Sequence, residues 1–299
     1  MFRNIRFYRV HGPWPESEKA LSEKLSEREF SPCGRFSERS AGWEPPSGQE
    51  GDSLCRHIAG ADLLQLRTQS RVLPAAAVKE ALEGRVADYR ERTSEEPSSH
   101  EIRKLKEQTR DELMSRSLVK SDRTKGFFLR KESILGIDAA TPTAAEWFLE
   151  HLRMALGQLN AVPLTFSEEP LALLNRLFLG HRVARFQVGR ECRMQEASDS
   201  RSIVTWRELD LEDFNIRQHL DEGLKLTHLG VAYDSCLSFL LSSEAVITKL
   251  KFLGGEAADV TDDEDPLARQ DAEFVLLTGI VQRLINDLAS ELGGLNNQD

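Results

Sequence analysis

No apolar run in these 299 residues approaches the roughly 20 that a helix needs to cross a bilayer. A candidate such as Cys236 to Leu241 has only the length of a strand. A secretory layout is also missing, because Met1-Phe2-Arg3-Asn4-Ile5-Arg6 interleaves charge with apolar residues. These absences predict a cytosolic protein. Cysteine is scarce: Cys33, Cys55, Cys192 and Cys236 form no C-x-x-C pair, which argues against a zinc ribbon or a dithiol redox motif and predicts free, buried thiols. No Gly-rich loop ends in Gly-Lys-Ser/Thr, and no G-x-G-x-x-G follows a strand, so no cradle for nucleotide phosphates is expected. G-x-S-x-G and H-E-x-x-H are absent. The seven histidines are dispersed; the nearest pair, His219 and His228, reads as surface residues flanking a turn at Gly223.

What the chain has is charge, unevenly placed. A net charge of −10 opposes nucleic-acid binding only if it is evenly spread. From Glu101 to Lys131 ten basic residues face five acidic ones, and from Glu256 to Asp299 eleven acidic residues face two basic ones. Within the basic run, Glu107 and Asp111 are like-charged at i,i+4, which weakens its reading as a self-neutralised helix face. Beyond Glu112 it becomes nearly all basic, with Arg116, Lys120, Arg123, Lys125, Arg130 and Lys131 against Asp122, and Phe127 and Phe128 follow. An electropositive hairpin beside aromatic rings suits a phosphate backbone and a stacked base. A protein-interaction surface is the competing reading. The acidic run Asp262-Asp263-Glu264-Asp265, with Asp271 and Glu273 nearby, raises a Mg²⁺-dependent nuclease as an alternative. Consecutive carboxylates ahead of Pro266 fit a helix-capping loop better, since metal ligands usually come from separate rigid elements.

Strand patterns are expected at Phe2 to Val10, Asp62 to Leu73, Phe127 to Ile137, Leu224 to Tyr233, Leu237 to Leu241 and Ala245 to Phe252, with shorter ones near Ala161, Arg185, Arg193 and Ile203. Helices are expected at Glu16 to Glu29, Ala75 to Glu91, Glu101 to Leu118, Thr143 to Leu159 and Asp271 to Leu292, with Thr143 and Glu146 as a capping box. Strands and helices mix without regular βαβ alternation, which predicts an α+β fold with mixed sheets and helices in several lobes. Three parts are expected: an N-terminal α+β part (1–74), a helical hairpin lobe with the basic run (75–126), and a C-terminal α+β body with a closing helix (127–299).

Six short blocks, in order along the chain, resemble the RdgC family of recombination-associated proteins. They are Phe30-Ser31-Pro32-Cys33-Gly34, Gly42-Trp43-Glu44-Pro45-Pro46, Arg71-Val72-Leu73-Pro74 with Val78-Lys79, Ala161-Val162-Pro163-Leu164, Thr248-Lys249-Leu250-Lys251-Phe252, and Asp271 to Gly279. The resemblance implies a homodimer closed into a ring, with a positively lined hole through which duplex DNA passes without base-specific contacts. It also implies antagonism of the recombinase RecA by occupying its DNA, association with the nucleoid, no catalytic centre and no cofactor. Candidate DNA-binding residues are Arg67, Arg71, Lys79, Arg116, Lys120, Arg123, Lys125, Arg207, Lys249 and Lys251. The likeness is weakest over Ser117 to Phe128, where Phe127 or Phe128 would have to serve as the family's aromatic finger, and over Glu168 to Glu208, which contains Arg207. Trp43, Phe30 and Cys33 are expected to pack in the core.

Overall fold

The computed structural model describes residues 2–196, 201–211, 214–253 and 265–296. Its elements are β1 (Arg6–His11), α1 (Glu18–Ser26), β2 (Arg39–Trp43), β3 (Cys55–Ile58), β4 (Ala61–Val72), α2 (Ala75–Thr93), α3 (Ser99–Arg116), β5 (Leu118–Leu129), β6 (Ile134–Ile137) and α4 (Pro142–Leu156). They continue with β7 (Asn160–Pro163), α5 (Pro170–Phe178), β8 (Phe186–Glu196), β9 (Ile203–Arg207), α6 (Phe214–Asp221), β10 (Leu224–Tyr233), β11 (Leu237–Ser242), β12 (Ile247–Phe252) and α7 (Pro266–Glu291). This is a mixed α+β fold, as the lack of βαβ alternation predicts.

The first sheet runs β2-β4-β5-β6-β1-β7, with β3 also paired to β4; the second runs β12-β11-β10-β8-β9. Strand alternation gives the first sheet two apolar faces. Leu64, Leu66, Phe128, Leu135 and Ile137 pack with Leu21 and Leu25 of α1 and Phe148, Leu149 and Leu152 of α4. Ala61, Leu63, Phe127, Leu129 and Ile134 pack on the opposite side into a larger core shared with α5, α7 and the second sheet. α7 joins the halves by polar contacts as well. Asp271 holds Arg56 of β3, Gln270 donates to Pro46 O at 3.0 Å, and Asp287 accepts from Tyr233 at 2.7 Å and from Arg185. The N-terminal segment links the sheets through Ile5 and Ile247, whose backbones exchange hydrogen bonds of 2.8 and 3.0 Å.

Several boundaries differ from the sequence expectation. Residues 118–126 continue strand β5 instead of a helix end or loop, because all twelve of its residues pair with β4. Its outer half is solvated on both faces and so carries no apolar alternation to read. α5 and α6 were not anticipated. α4 is capped by Thr141, whose Oγ1 accepts from Ala144 N at 3.3 Å, with Pro142 in the first turn; the capping box lies instead at Ser98 and Glu101. Phe127 and Phe128 are both core residues, so neither is an exposed finger. The large apolar side chains exposed on the outer ends of β4 and β5 are Val72, Leu118 and Val119. Trp43 is fully buried as expected, whereas Phe30 and Cys33 are only partly covered. All four cysteines are free. Cys55 and Cys192 are buried, and desolvation pushes both thiols up to about 12.

One buried carboxylate fastens the edge of the first sheet. Asp62 is fully buried and accepts from Trp14 Nε1 at 2.8 Å and Arg130 Nε at 3.0 Å, and it pairs with His57 Nδ1 at 2.7 Å; Trp14 in turn stacks on Phe128. Asp62→Ala strips Arg130 of its counter-charge in a buried setting, and we expect a loss of about 3–5 kcal/mol in urea unfolding. Lys19→Ala, on the exposed face of α1, should stay within about 0.5 kcal/mol.

Candidate nucleic-acid interface

The pairing of β4 with β5 determines which basic side chains share a face. Arg67, Gln69 and Arg71 lie on the same side of β4 as Leu63, and their cross-strand neighbours are Arg123, Ser121 and Val119. Lys125 is two residues from Arg123 on that face. Lys120, by parity, lies on the opposite face, paired with Asp122 at 3.0 Å. Lys79 and Arg116 belong to the helical hairpin, where each makes an i,i+4 pair, with Glu83 and Glu112. α2 buries no residue, and α3 buries only Thr109 and Met114.

The loop before β2 braces this face. Phe30 lies under the Arg67 guanidinium at 4.4 Å, and Gly42 is required because a Cβ there would stand 2.5 Å from Phe30 Cα. Cys33 N donates to Gln69 Oε1 at 3.0 Å, and Arg71 donates to the carbonyls of Gly34 at 3.0 Å, Met114 at 3.1 Å and Ser117 at 3.4 Å. Arg71 therefore fastens the loop and the end of α3 to the ribbon. Glu44, continuing β2 opposite Gln65, receives Arg123 Nε at 2.5 Å, Gln65 Nε2 at 2.9 Å and Arg67 Nη1 at 3.4 Å.

The second group of cations surrounds an open groove of about 990 Å³ over β8, β10, β11 and β12. Two irregularities shape it. Leu229 faces Cys192 and Val231 faces Val188, so the single residue Gly230 stands opposite Gly189, Arg190 and Glu191. The strands touch there: a Cβ on Gly189 would lie 2.9 Å from Gly230 C. On β12 an extra residue is inserted between Thr248 and Lys251, and Lys249 adopts φ 56°. Lys249, Lys251, Arg3 and Arg190 line the groove with Glu191 and Glu208. Arg207, cross-strand neighbour of Glu191, pairs with it at 3.4 Å, and Lys249 Nζ lies 2.6 Å from both of its oxygens.

Lys125 connects the two groups. With Phe2, Leu63, Phe252 and Glu273 it lines a small cavity of about 20 Å³, and Phe2 and Phe252 also line the groove. Desolvation lowers its pKa, against the opposing pull of Glu273 and Asp138.

Over residues 1–295 the chain matches a family model described as "Putative exonuclease, RdgC". It belongs to the RdgC family. The recombination-associated protein RdgC of Shewanella sp. (strain ANA-3) is 30% identical over 297 residues, 98% of each chain. That of Sodalis glossinidius (strain morsitans) is 32% identical over 302 residues, 98% of this chain and 97% of the relative. Family membership ties the chain to recombination. No catalytic activity is established by either description.

For this RdgC chain, Asp262, Asp263 and Glu264 lie outside the described residues. The neighbouring carboxylates are engaged separately: Asp265 caps α7 through Leu267 N at 3.1 Å, Asp271 holds Arg56, and Glu273 pairs with Arg269. Among the described residues no three His, Cys, Asp or Glu side chains converge to hold a metal ion, and no helix is long and apolar enough to cross a membrane. The basic run is less free than its composition implies, since Arg110, Arg123 and Arg130 are met by Glu38, Glu44 and Asp62 from distant segments, and Arg103 and Arg116 by Glu107 and Glu112. Sequence reading missed Arg3 and Arg190, which no local pattern marks, and exposed Phe36, which follows the first family block and lies beside Arg35.

The cavity at Lys125 has a measurable consequence. Lys125→Met removes a cation held against desolvation, and we expect a gain of roughly 1 kcal/mol in urea unfolding at neutral pH. A lowered folded-state pKa costs stability while the lysine is charged. The gain should therefore shrink as pH rises through that lowered value towards the ordinary 10.5.

Proposed function

We propose that this chain binds duplex DNA without sequence preference, as a non-catalytic homodimeric ring or clamp, and limits RecA access by occupying the DNA. The observation that carries the reading is the linkage of the ribbon cations Arg67 and Arg123, through Lys125, to the groove cations Lys249 and Lys251 and to Arg207, which pairs with the groove residue Glu191. Guanidinium and ammonium groups lying along a strand ribbon and an open groove suit backbone phosphates, which carry no sequence information. Arg71, held by three carbonyls, supports this surface rather than contacting the ligand. Lys79, Arg116 and Lys120 are exposed at the hairpin and on the far face of the ribbon, where they add to the general positive field.

The test is fluorescence anisotropy with a labelled random duplex across a salt series, in Mg²⁺ and then in EDTA, followed by a gel. We expect affinity that falls steeply with salt, equal in both buffers, on DNA that stays intact. Lys249→Ala combined with Lys251→Ala should weaken binding to every sequence alike and reduce the log–log salt slope by about 2. Absence of binding at low salt would refute the clamp and favour a protein-interaction role. Mg²⁺-dependent fragments would favour the nuclease.

A further inference from the structure

Four of the six cations assigned to DNA are held in pairs, each pair by one carboxylate. Glu44 gathers Arg67, Arg123 and the Gln65 amide; Glu191 gathers Lys249 and Arg207. These differ from the ordinary exposed pairs elsewhere on the molecule, such as Lys19 with Glu23 on α1, in which both partners stand in solvent. Here the carboxylates are the covered partners, with side chains 12% and 21% exposed, while Arg123, Lys249 and Arg207 are half exposed or more. Each carboxylate thus lies behind the cations it organises. It presents one negative charge over two oxygens to the kinds of donor that bind a phosphodiester.

We infer that Glu44 and Glu191 mark two discrete phosphate subsites, at each of which the chain's own carboxylate competes with a backbone phosphate for the same cations. The inference rests on the DNA-binding reading and adds to it where two phosphates sit and what holds affinity down. Half-exposed ion pairs are weak, so a polyanion that reaches both subsites and releases counterions as it binds displaces them. A single small anion lacks that second contact and the counterion release. The carboxylates remain behind the cations after the exchange and repel the incoming phosphates, which limits how tightly the surface holds any one stretch of DNA.

The test compares Glu44→Gln, Glu191→Gln and the double variant with the unmodified chain, using the random duplex and salt series above. Glu23→Gln, an exposed carboxylate on α1 paired only with Lys19, is the control, and urea unfolding is measured on each protein. Glutamine keeps the shape and removes the charge. Each single variant should bind about tenfold more tightly at low salt, with a salt slope steeper by about one, and the double variant should show both effects roughly summed. Glu191→Asp, which keeps the charge, should retain the original slope, and this guards against misreading a folding defect. If the unmodified chain binds with steep salt dependence while the glutamine variants bind no tighter and with unchanged slope, the subsites are wrong and the clamp survives. If the unmodified chain does not bind at low salt, the clamp falls and the subsites fall with it.

Discussion

From the Ala61–Leu129 pair at one end to Val72–Leu118 at the other, β4 and β5 stay in register through twelve pairs, and side chains on each strand alternate between two faces. In the inner half, this places Leu63 and Phe127 in the core shared with α7 and the second sheet, and Leu64 and Phe128 in the core under α1 and α4. Farther out the cores end but the alternation does not. Arg67, Arg123 and Lys125 therefore inherit the sidedness of Leu63 and Phe127, and Lys120 inherits that of Phe128. A one-residue slip would exchange the side chains of the two cores, carry buried Asp62 and Gln65 to the wrong faces, and turn every ribbon cation to the other side. The side of the ribbon that presents Arg67, Arg123 and Lys125 is thus fixed by apolar packing several residues away.

A chain of net charge −10 can still present a basic surface, because its acidic residues are distributed by the same geometry. Some carboxylates are structural. Asp62 closes the sheet edge on Arg130 and Trp14, and Asp271 and Asp287 fasten α7 to opposite halves of the molecule. Others, Glu44 and Glu191, stand directly behind cations. The cations beside them, Arg123, Lys249 and Arg207, project from paired strands. Cations on rigid strands have less conformational freedom to lose than long side chains on a loop.

How much of this was legible in the sequence depended on whether a local pattern existed. α7 declared itself through Phe274, Leu277, Val281, Leu284 and Leu288, and β10 and β11 through their apolar runs, because packing against a core leaves a periodic trace. The outer half of β5 left none. Val119 to Arg123 pair with β4 but touch no core, so polar residues are tolerated on both faces and composition alone reads as helix end or loop. Phe127 and Phe128 misled for the same reason: adjacent aromatics after a basic run look like an exposed finger, yet neighbours on a strand face opposite ways, and here both ways lead to a core. Lys249 and Lys251 were legible as basic residues in a matched block and Arg123 and Lys125 as members of the basic run, whereas Arg67 and Arg207 stood in neither. The partners of these cations were not legible, since Glu44 reaches Arg123 across 79 positions and Glu191 reaches Lys249 across 58.

The β12 bulge shows how a groove cation can be set against the needs of the core. Ile247 is fully buried in the large core, and unbroken alternation from it would send residues 249 and 251, both lysines, into the same apolar interior while turning Leu250 and Phe252 outward. The extra residue between Thr248 and Lys251 reverses the parity. Leu250 then enters the core, Phe252 packs against it, and Lys249 and Lys251 both emerge into the groove. The reversal places a non-glycine residue, Lys249, at φ 56°, a conformation that costs of order 1–3 kcal/mol and persists only where surrounding structure over-determines it. Burying two unpaired ammonium groups would cost far more, so the bulge is the cheaper solution for this sequence. The same strand could have met the core's demands with apolar residues at 249 and 251 and no bulge. That it carries lysines there, at the cost of local strain, ties the irregularity to the cationic lining of the groove.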